Sequence, residues 1–164
     1  MAEVTRVNPA AIQTSTVEYF IGRDNVNMLM FELDFGAAVN AKTGPVSTIA
    51  KAIEAIANGE MIVVVDDDDR ENEGDLIIAA SRATPEKTGF IIRHTSGILC
   101  VSVPQEYARR LHLDPMVSDN DAPLGTAFTI SIDLKEGLTT GISALERANT
   151  IRAMADNNTK PTDL

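Results

Sequence analysis

The chain has 164 residues, of which 44% are hydrophobic and 23% are charged. This length favours one domain with its own core, because a chain of about 150 residues buries roughly 70% of its unfolded surface. The composition is too apolar for a disordered chain and too often interrupted by charge for a membrane protein. The 24 acidic and 14 basic residues give a net charge of −10, which repels phosphate backbones and anionic lipid. We therefore expect neither a nucleic-acid nor a membrane partner.

The cysteine content and the N-terminal composition concern the cellular compartment. The single cysteine, Cys100, cannot form a disulfide within the chain. The N-terminus lacks the basic and apolar regions of a secretory signal, and it also lacks the arginine-rich, acid-poor composition of an organellar transit peptide. These features predict a cytoplasmic protein.

The N-terminal quarter differs in pattern from the rest of the chain. Residues 1–44 show weak periodicity, and they end in a turn-like Lys-Thr-Gly-Pro segment. This pattern favours a loosely ordered N-terminal extension of unknown role, followed by one domain at residues 45–164.

The domain at 45–164 alternates between helical and extended patterns. Isoleucines among alanines predict a first helix that begins near Ser47 and ends at Asn58-Gly59. Ser143 and Glu146 form a capping box that predicts a last helix to about Asp156. Between these two helices, the patterns predict helices over 85–93 and 104–111 and strands over 61–65, 76–80, 98–103 and 127–133. The elements predict an α+β fold in which helices are layered on a mixed β-sheet.

An acidic segment between the first two predicted strands is the most unusual feature. Seven of the ten residues Asp66–Asp75 are carboxylates. So dense a cluster is tolerated if water solvates it, or if a cation and hydrogen-bond donors hold it. One interpretation is an acidic loop that serves only solubility. The position at the end of a buried strand favours a site instead.

Oxygen ligands restrict the metals that this segment can bind. An EF-hand is disfavoured, because Arg70 stands at a ligand position and Glu71 at the position that requires Gly. Zinc is disfavoured, since the acidic segment has no Cys or His near it in the sequence. Mg²⁺ remains, because it needs only one or two carboxylates together with water and ligand oxygens. Arg70 can neutralise neighbouring carboxylates or bind an anionic or polyhydroxyl ligand.

The sequence DDDDRENEGDL at residues 66–76 resembles the signature acidic loop of 3,4-dihydroxy-2-butanone 4-phosphate synthases of riboflavin biosynthesis. The resemblance continues through IRHTSGILC at 92–100, GTAFT at 125–129, and TTGISA at 139–144 with Arg147. It covers about residues 46–164, and we find no family counterpart in residues 1–44.

The resemblance implies a specific reaction. Family members convert D-ribulose 5-phosphate into 3,4-dihydroxy-2-butanone 4-phosphate and formate, using Mg²⁺, with Mn²⁺ as the second candidate cation, in a homodimer whose active sites lie at the subunit interface. The reaction requires proton transfers beside a carbonyl, and a divalent cation stabilises the oxyanions that develop there. By resemblance, Glu71 is the metal ligand, the substrate-binding residues are Arg70, Glu71, Asp75 and Thr140, and the catalytic residues are Glu73, Asp75 and Cys100. From local sequence alone, Thr140 is equally a turn hydroxyl that caps its own backbone, and Cys100 a small buried hydrophobe.

The sequence departs from the family pattern at its C-terminal end. Family members continue into segments of the form RPGHVFPL and GHTE and to a C-terminal glutamate. These segments supply an essential histidine, the second metal ligand and most of the phosphate-binding backbone, and neither His94 nor His112 replaces them. We therefore expect a C-terminally truncated synthase domain that is inactive alone. The alternative is a non-catalytic homologue that binds a cation or a sugar phosphate, or that mediates dimerisation.

Overall fold

The N-terminal quarter of the chain contributes strands to the sheet. The computed structural model describes residues 6–7, 28–30, 32–33, 49–65, 74–96, 98–123 and 125–164. Its first three strands are β1 (Arg6–Val7), β2 (Met28–Met30) and β3 (Glu32–Leu33). The sequence pattern favoured a loosely ordered extension here, but these short segments pair with strands of the following domain.

The remaining elements alternate between helices and strands. They are α1 (Ile49–Ala57), β4 (Ile62–Val65), β5 (Gly74–Ala79), α2 (Pro85–His94), β6 (Cys100–Val101), α3 (Gln105–Arg110) and α4 (Ala144–Met154), with 3-10 turns at Ala80–Arg82 and Pro161–Asp163. The four predicted helices are confirmed to within two residues at each end. The predicted strand at 98–103 is shorter than expected, since only two of its residues are paired.

The strands form one mixed sheet. Their order is β1-β4-β5-β2-β6, and β3 also pairs with β5. β1 runs parallel to β4, whereas the other pairs are antiparallel. β2 and β3 follow one register along β5, with Leu29 opposite Ile78 and Glu32 opposite Asp75. The mixed sheet and its helices confirm the predicted α+β fold.

Apolar side chains pack on both faces of the sheet. On one face, Ile91 of α2 and Ile151 of α4 form a core with Ile78 of β5. On the other face, Ile56 of α1 forms a second core with Ile77. Both faces of β4 and β5 are therefore covered, as expected for nearly continuous apolar runs. None of the helices within the described ranges is long and apolar enough to span a membrane.

Local signals account for the start of α2 and its attachment to α1. The Thr84 side chain accepts a hydrogen bond from the Lys87 N–H at 3.3 Å, and Pro85 occupies the first helical position. The Lys87 Nζ donates to the carbonyl of Gly59 at 2.7 Å. Gly59 has a φ of +77°, which ends α1 in the left-handed conformation that glycine tolerates.

Residues 127–133 do not form the predicted strand. One isolated bridge joins Thr129 to Pro115. Beside it, the Met116 N–H donates to the Phe128 carbonyl at 2.8 Å, and both of these side chains are exposed. Alternating polarity produces a strand only where a neighbouring strand supplies hydrogen bonds and a surface to pack against. In the described part of the chain, this segment forms one bridge, and the Phe128 side chain stays exposed.

Candidate functional site

Asp75 and Cys100 lie on the same face of the sheet. Successive side chains of a strand point to opposite faces. Asp75 therefore shares the face of Ile77, which packs under α1. Val101 packs against the core on the other face, so Cys100 also points to the α1 side. The fold thus brings together two of the residues that the family resemblance assigns to catalysis.

The two side chains also interact electrostatically. Both are half-buried. Burial raises the pKa of the Cys100 thiol, and the negative charge of Asp75 raises it further. The thiol has a long, weak hydrogen bond to the Ile98 carbonyl, at 3.5 Å. Cys100 is therefore protonated at neutral pH, which makes it a proton or hydrogen-bond donor rather than a thiolate nucleophile.

The central hairpin positions Asp75 at the end of the acidic segment. Asp75 is the second residue of β5, opposite Val64 of β4. The other predicted residues of this segment, Arg70, Glu71 and Glu73, lie outside the described residues. Their roles stay predictions.

The described residues give a partial test of the predicted metal site. Within the ranges that the structure describes, no group of three His, Cys, Asp or Glu side chains could hold a metal ion. The carboxylate of Asp75 is a suitable donor for Mg²⁺ or Mn²⁺, whereas the protonated thiol of Cys100 is not. A divalent cation here would therefore need oxygen ligands from the acidic segment, where Glu71 is the predicted one.

The loop that carries Thr140 is attached to the first turn of α4 by Glu146. Thr139 donates its N–H and its hydroxyl to Glu146 Oε1, at 2.5 and 2.7 Å. Ser143 donates its N–H and its hydroxyl to Glu146 Oε2, at 3.3 and 2.8 Å. The Glu146 N–H returns a hydrogen bond to Ser143 Oγ at 3.1 Å, which completes the predicted capping box. Thr140 itself is exposed.

These hydrogen bonds keep Glu146 ionised. They lower the pKa of Glu146 to about 2, and the Thr139 hydroxyl makes the largest contribution. A carboxylate that accepts several hydrogen bonds is stabilised in its charged form. Glu146 is also buried, with 8% of its surface exposed. The loop before α4 is therefore built around a buried negative charge whose oxygens are both engaged.

On its other side, the Thr140 loop packs against Asp133. Gly141 has a φ of +72°, a conformation that residues with a Cβ rarely adopt. A Cβ at Gly141 would stand 2.7 Å from Asp133 Oδ2, closer than such atoms approach. Both the backbone conformation and the available space therefore require glycine here.

Thr140 lies in a different part of the fold from Asp75 and Cys100. It precedes α4, which packs through Ile151 on the opposite face of the sheet. From the sequence pattern, Glu146 is predicted only as a capping residue. Its bonds to Thr139 were not predicted, because that residue lies seven positions earlier and outside the capping pattern. The contact of Asp133 with Gly141 had no sequence signal beyond the Thr-Gly turn.

Comparison with known sequences identifies one family. The family model described as 3,4-dihydroxy-2-butanone 4-phosphate synthase matches residues 50–164. A 3,4-dihydroxy-2-butanone 4-phosphate synthase of Helicobacter hepaticus is 56% identical over 115 residues, which are 70% of this chain and 32% of that protein. The chloroplastic bifunctional riboflavin biosynthesis protein RIBA 1 of Oryza sativa is 46% identical over 164 residues, which are 99% of this chain and 30% of that protein. The rice alignment therefore reaches into residues 1–44, where the sequence analysis found no counterpart.

Solved structures lead to the same family. A crystal structure of 3,4-dihydroxy-2-butanone 4-phosphate synthase in complex with two magnesium ions has a TM-score of 0.69 and 44% identity, and the match covers 71% of this chain and 55% of that chain. The synthase of Candida albicans has a TM-score of 0.63 and 50% identity, with 71% and 57% covered. This chain thus spans about a third or less of the rice and Helicobacter relatives and just over half of these solved chains.

Proposed function

The chain belongs to the 3,4-dihydroxy-2-butanone 4-phosphate synthase family, and on this premise we propose that its site serves the conversion of D-ribulose 5-phosphate into 3,4-dihydroxy-2-butanone 4-phosphate and formate. The observation that carries the proposal is the placement of Cys100 on the same sheet face as Asp75, the last residue of the acidic segment. In this proposal, Asp75 and Cys100 are two members of a larger catalytic set.

The chemistry of the two residues suits the first step of such a reaction. Asp75 is a carboxylate that accepts a proton from the carbon beside the substrate carbonyl. Cys100 is a protonated thiol that donates a hydrogen bond or a proton to the oxygen of the resulting enediolate. A general base and a general acid on one face are what enolisation needs. The raised pKa of Cys100 supports the donor role.

The acidic segment is the proposed metal and sugar site. Glu71 is the proposed metal ligand, Arg70 and Glu71 the proposed substrate contacts, and Glu73 an acid-base partner. The magnesium ions in a solved relative support Mg²⁺ as the cation, and Mn²⁺ is a second candidate with the same ligand preference. When bound, a divalent cation stabilises the oxyanion that forms on the substrate.

Thr140 is the proposed phosphate contact, and because it lies away from Asp75 in the same subunit, we propose that it serves an active site shared with the partner subunit. Its exposed side chain, next to a turn that Glu146 and Gly141 hold in place, supports this role. A threonine hydroxyl donates a hydrogen bond to a phosphate oxygen without adding charge.

A homodimer with active sites at the subunit interface is the proposed assembly. Exposed apolar side chains such as Ile98 and Ile142 support a contact surface between subunits.

For the compartment, we propose the cytoplasm, since a chain with one cysteine fits a reducing environment. The rice and Arabidopsis relatives are chloroplastic by name, so the chloroplast is the second candidate. A fluorescent fusion expressed in the native cell distinguishes the two.

A non-catalytic homologue is the second candidate function. It would bind a cation or a sugar phosphate, or mediate dimerisation. Exposed apolar side chains such as Ile98 and Ile142 suit the dimerisation role.

Formate release from D-ribulose 5-phosphate tests the proposed function. We expect no measurable release from residues 1–164 at saturating Mg²⁺. We expect turnover from a chimera in which the C-terminal part of the Helicobacter relative follows Leu164. In that chimera, Asp75→Asn should lower kcat by at least about 100-fold, because a general base contributes that much or more.

Glu71→Gln in the same chimera tests the metal assignment. It should abolish Mg²⁺-dependent turnover while the unfolding midpoint stays the same, since the substitution removes a charged ligand and keeps the size and shape of the side chain. Wild-type rates of Glu71→Gln at limiting Mg²⁺ would show that the ligand is another residue. A folded chimera that binds ribulose 5-phosphate without releasing formate would favour the non-catalytic candidate.

A further inference from the structure

Adjacent threonines in the loop before α4 are used differently. Both polar donors of Thr139, its N–H and its hydroxyl, are directed to Glu146 Oε1. The next residue, Thr140, is exposed. The turn therefore uses the Thr139 hydroxyl in an internal hydrogen bond and leaves Thr140 at the surface.

We propose that Glu146 is a positioning residue, whose buried carboxylate holds the Thr139–Gly141 turn so that Thr140 meets the substrate phosphate. This inference rests on the proposed function, in which Thr140 contacts that phosphate. Glu146 itself does not touch the ligand in this proposal.

The hydrogen bonds of Glu146 join the loop to a rigid element. One carboxylate oxygen accepts both bonds from Thr139, and the other accepts both bonds from Ser143 at the start of α4. Hydrogen bonds to an ionised acceptor are the stronger kind. The helix is anchored in turn, because Ala148 and Ile151 are buried in the protein core. The loop is therefore held to the protein core through Glu146 and α4.

The opposite side of the turn is also restricted. Gly141 leaves no room for a side chain, since the Asp133 carboxylate occupies the position that a Cβ would need. Contacts on both sides reduce the number of conformations that the turn can adopt. A preorganised binding group avoids an entropic cost when the ligand arrives.

An ordinary helix cap is the competing explanation for Glu146. A cap contributes to global stability, whereas a positioning residue also sets loop order and phosphate affinity. The hydrogen bonds of Glu146 to Thr139 and those to Ser143 can be removed separately, which distinguishes these two effects. Thr139→Val removes a hydroxyl on the loop side and leaves the capping box in place. Ser143→Ala removes the capping hydroxyl and leaves Thr139 in contact with Glu146.

The experiment measures Kd by calorimetry for the chimera described above, without divalent cations so that no turnover occurs, with ribulose 5-phosphate and with ribulose, which lacks the phosphate. We expect Thr139→Val and Glu146→Gln to weaken binding of the phosphorylated sugar by tenfold or more, with little change for ribulose. An amide can accept hydrogen bonds through one oxygen only, so Glu146→Gln must lose one of the two pairs. We expect Ser143→Ala to lower the unfolding midpoint more than Thr139→Val does, yet to weaken phosphate binding less.

Glu86→Gln is the matched control. Glu86 lies in the first turn of α2, where a hydrogen bond from the Thr84 hydroxyl lowers its pKa, so the substitution makes the same chemical change at another helix start. It should leave the Kd of ribulose 5-phosphate unchanged within twofold. A loss equal to that of Glu146→Gln would show a general effect of helix capping and would overturn the positioning role.

Amide hydrogen exchange tests the same proposal without any ligand. Glu146→Gln and Thr139→Val should accelerate exchange at the backbone amide of residue 139 by tenfold or more, while Glu86→Gln should not. Unchanged exchange at residue 139 in both variants would overturn the positioning role, even if the chimera binds ribulose 5-phosphate. If the chimera without these substitutions binds both sugars equally, the phosphate contact of Thr140 is wrong, and the positioning role fails with it.

Discussion

Two buried threonines differ in how their hydroxyls are used. Thr88 in α2 is fully buried, and its hydroxyl has no hydrogen-bond partner among the residues that the structure describes. Thr159 is also buried, but its hydroxyl donates to the Ala153 carbonyl at 2.6 Å. A buried polar group without a partner costs free energy, whereas one that is bonded contributes a modest stabilisation.

Valine substitutions at these two positions should therefore have opposite effects. Thr88→Val keeps the shape and removes the unpaired hydroxyl, so the free energy of unfolding should stay unchanged or rise by up to about 1 kcal/mol. Thr159→Val removes a bonded hydroxyl and should lower it by about 1 kcal/mol. Urea unfolding of both variants measures the difference. Equal destabilisation by the two substitutions would show that the Thr88 hydroxyl has a partner.

The two glycines of the 135–143 region form a second matched pair. Gly137 and Gly141 have φ values of +74° and +72°, so alanine is strained at either position. Apart from its chain neighbours, no described residue lies within 4 Å of a Cβ at Gly137, whereas Asp133 Oδ2 lies 2.7 Å from one at Gly141. Gly137→Ala should lower the free energy of unfolding by about 1 to 2 kcal/mol, the cost of the left-handed conformation alone. Gly141→Ala should lower the free energy of unfolding by clearly more, because its Cβ also meets the Asp133 carboxylate.

Urea unfolding of the two alanine variants, each with and without Asp133→Ala, measures this difference. The shorter side chain of Asp133→Ala should recover part of the loss in Gly141→Ala and none in Gly137→Ala. Equal losses for the two glycine variants in the wild-type background would show that Asp133 moves aside without cost.

At the scale of elements, the sequence predicted the pieces whose end signals are local. The end of α1 at Gly59, the Thr84-Pro85 start of α2 and the Ser143 cap of α4 are each set by neighbours within four residues. Strand pairing depends on distant residues instead. Residues 127–133 alternate in polarity, but a single bridge is all that they form in the described structure. The short strands of the N-terminal quarter gave only a weak local signal, and their pairing depends on partners that lie far away in the chain.

The candidate site divides in the same way. Asp75 and Cys100 were named from the family resemblance, and their common face follows from strand alternation once the sheet is known. The second role of Glu146 could not be predicted, since its partner Thr139 is reached through a loop rather than along the helix. A capping pattern specifies the helix that follows it and carries no information about the loop that precedes it.

The start of α4 should be sensitive to acid. The pKa of Glu146 is lowered from 4.5 to about 2 in the folded chain. A carboxylate with a depressed folded pKa contributes stability that is fully present above the unfolded value and is lost as the pH falls toward the folded value. The contribution of Glu146 should therefore be intact above about pH 5 and should decline between pH 4.5 and about 2.

Urea unfolding at a series of pH values measures this loss. The wild-type chain should be more stable than Glu146→Gln at pH 7, and the two should converge as the pH approaches 2. Subtraction of the Glu146→Gln curve removes the acid sensitivity that other carboxylates contribute to both chains. A stability difference that is constant from pH 7 to pH 2 would show that the ionised carboxylate of Glu146 adds nothing.

At the scale of the whole molecule, surface charge and exposed apolar side chains oppose each other. The net charge of −10 repels other copies of the chain. Large apolar side chains are nonetheless exposed, with Ile98 at 74% and Ile142 at 67%. Exposed apolar surface of this kind favours association once charge repulsion is weakened. Salt should therefore control the assembly of this protein.

Sedimentation velocity at increasing ionic strength tests this balance. Because the Debye length falls from about 10 Å at 0.1 M salt to a few ångströms near 1 M, higher salt should shift residues 1–164 toward larger species. Ile98→Asp combined with Ile142→Asp should weaken that association by more than tenfold, since each buried isoleucine contributes about 1.5 to 3 kcal/mol. Ser81→Asp with Asn157→Asp adds the same two charges at exposed polar positions, and it should have a much smaller effect. A chain that stays monomeric at every salt concentration, or that responds equally to both double variants, would contradict an apolar association surface.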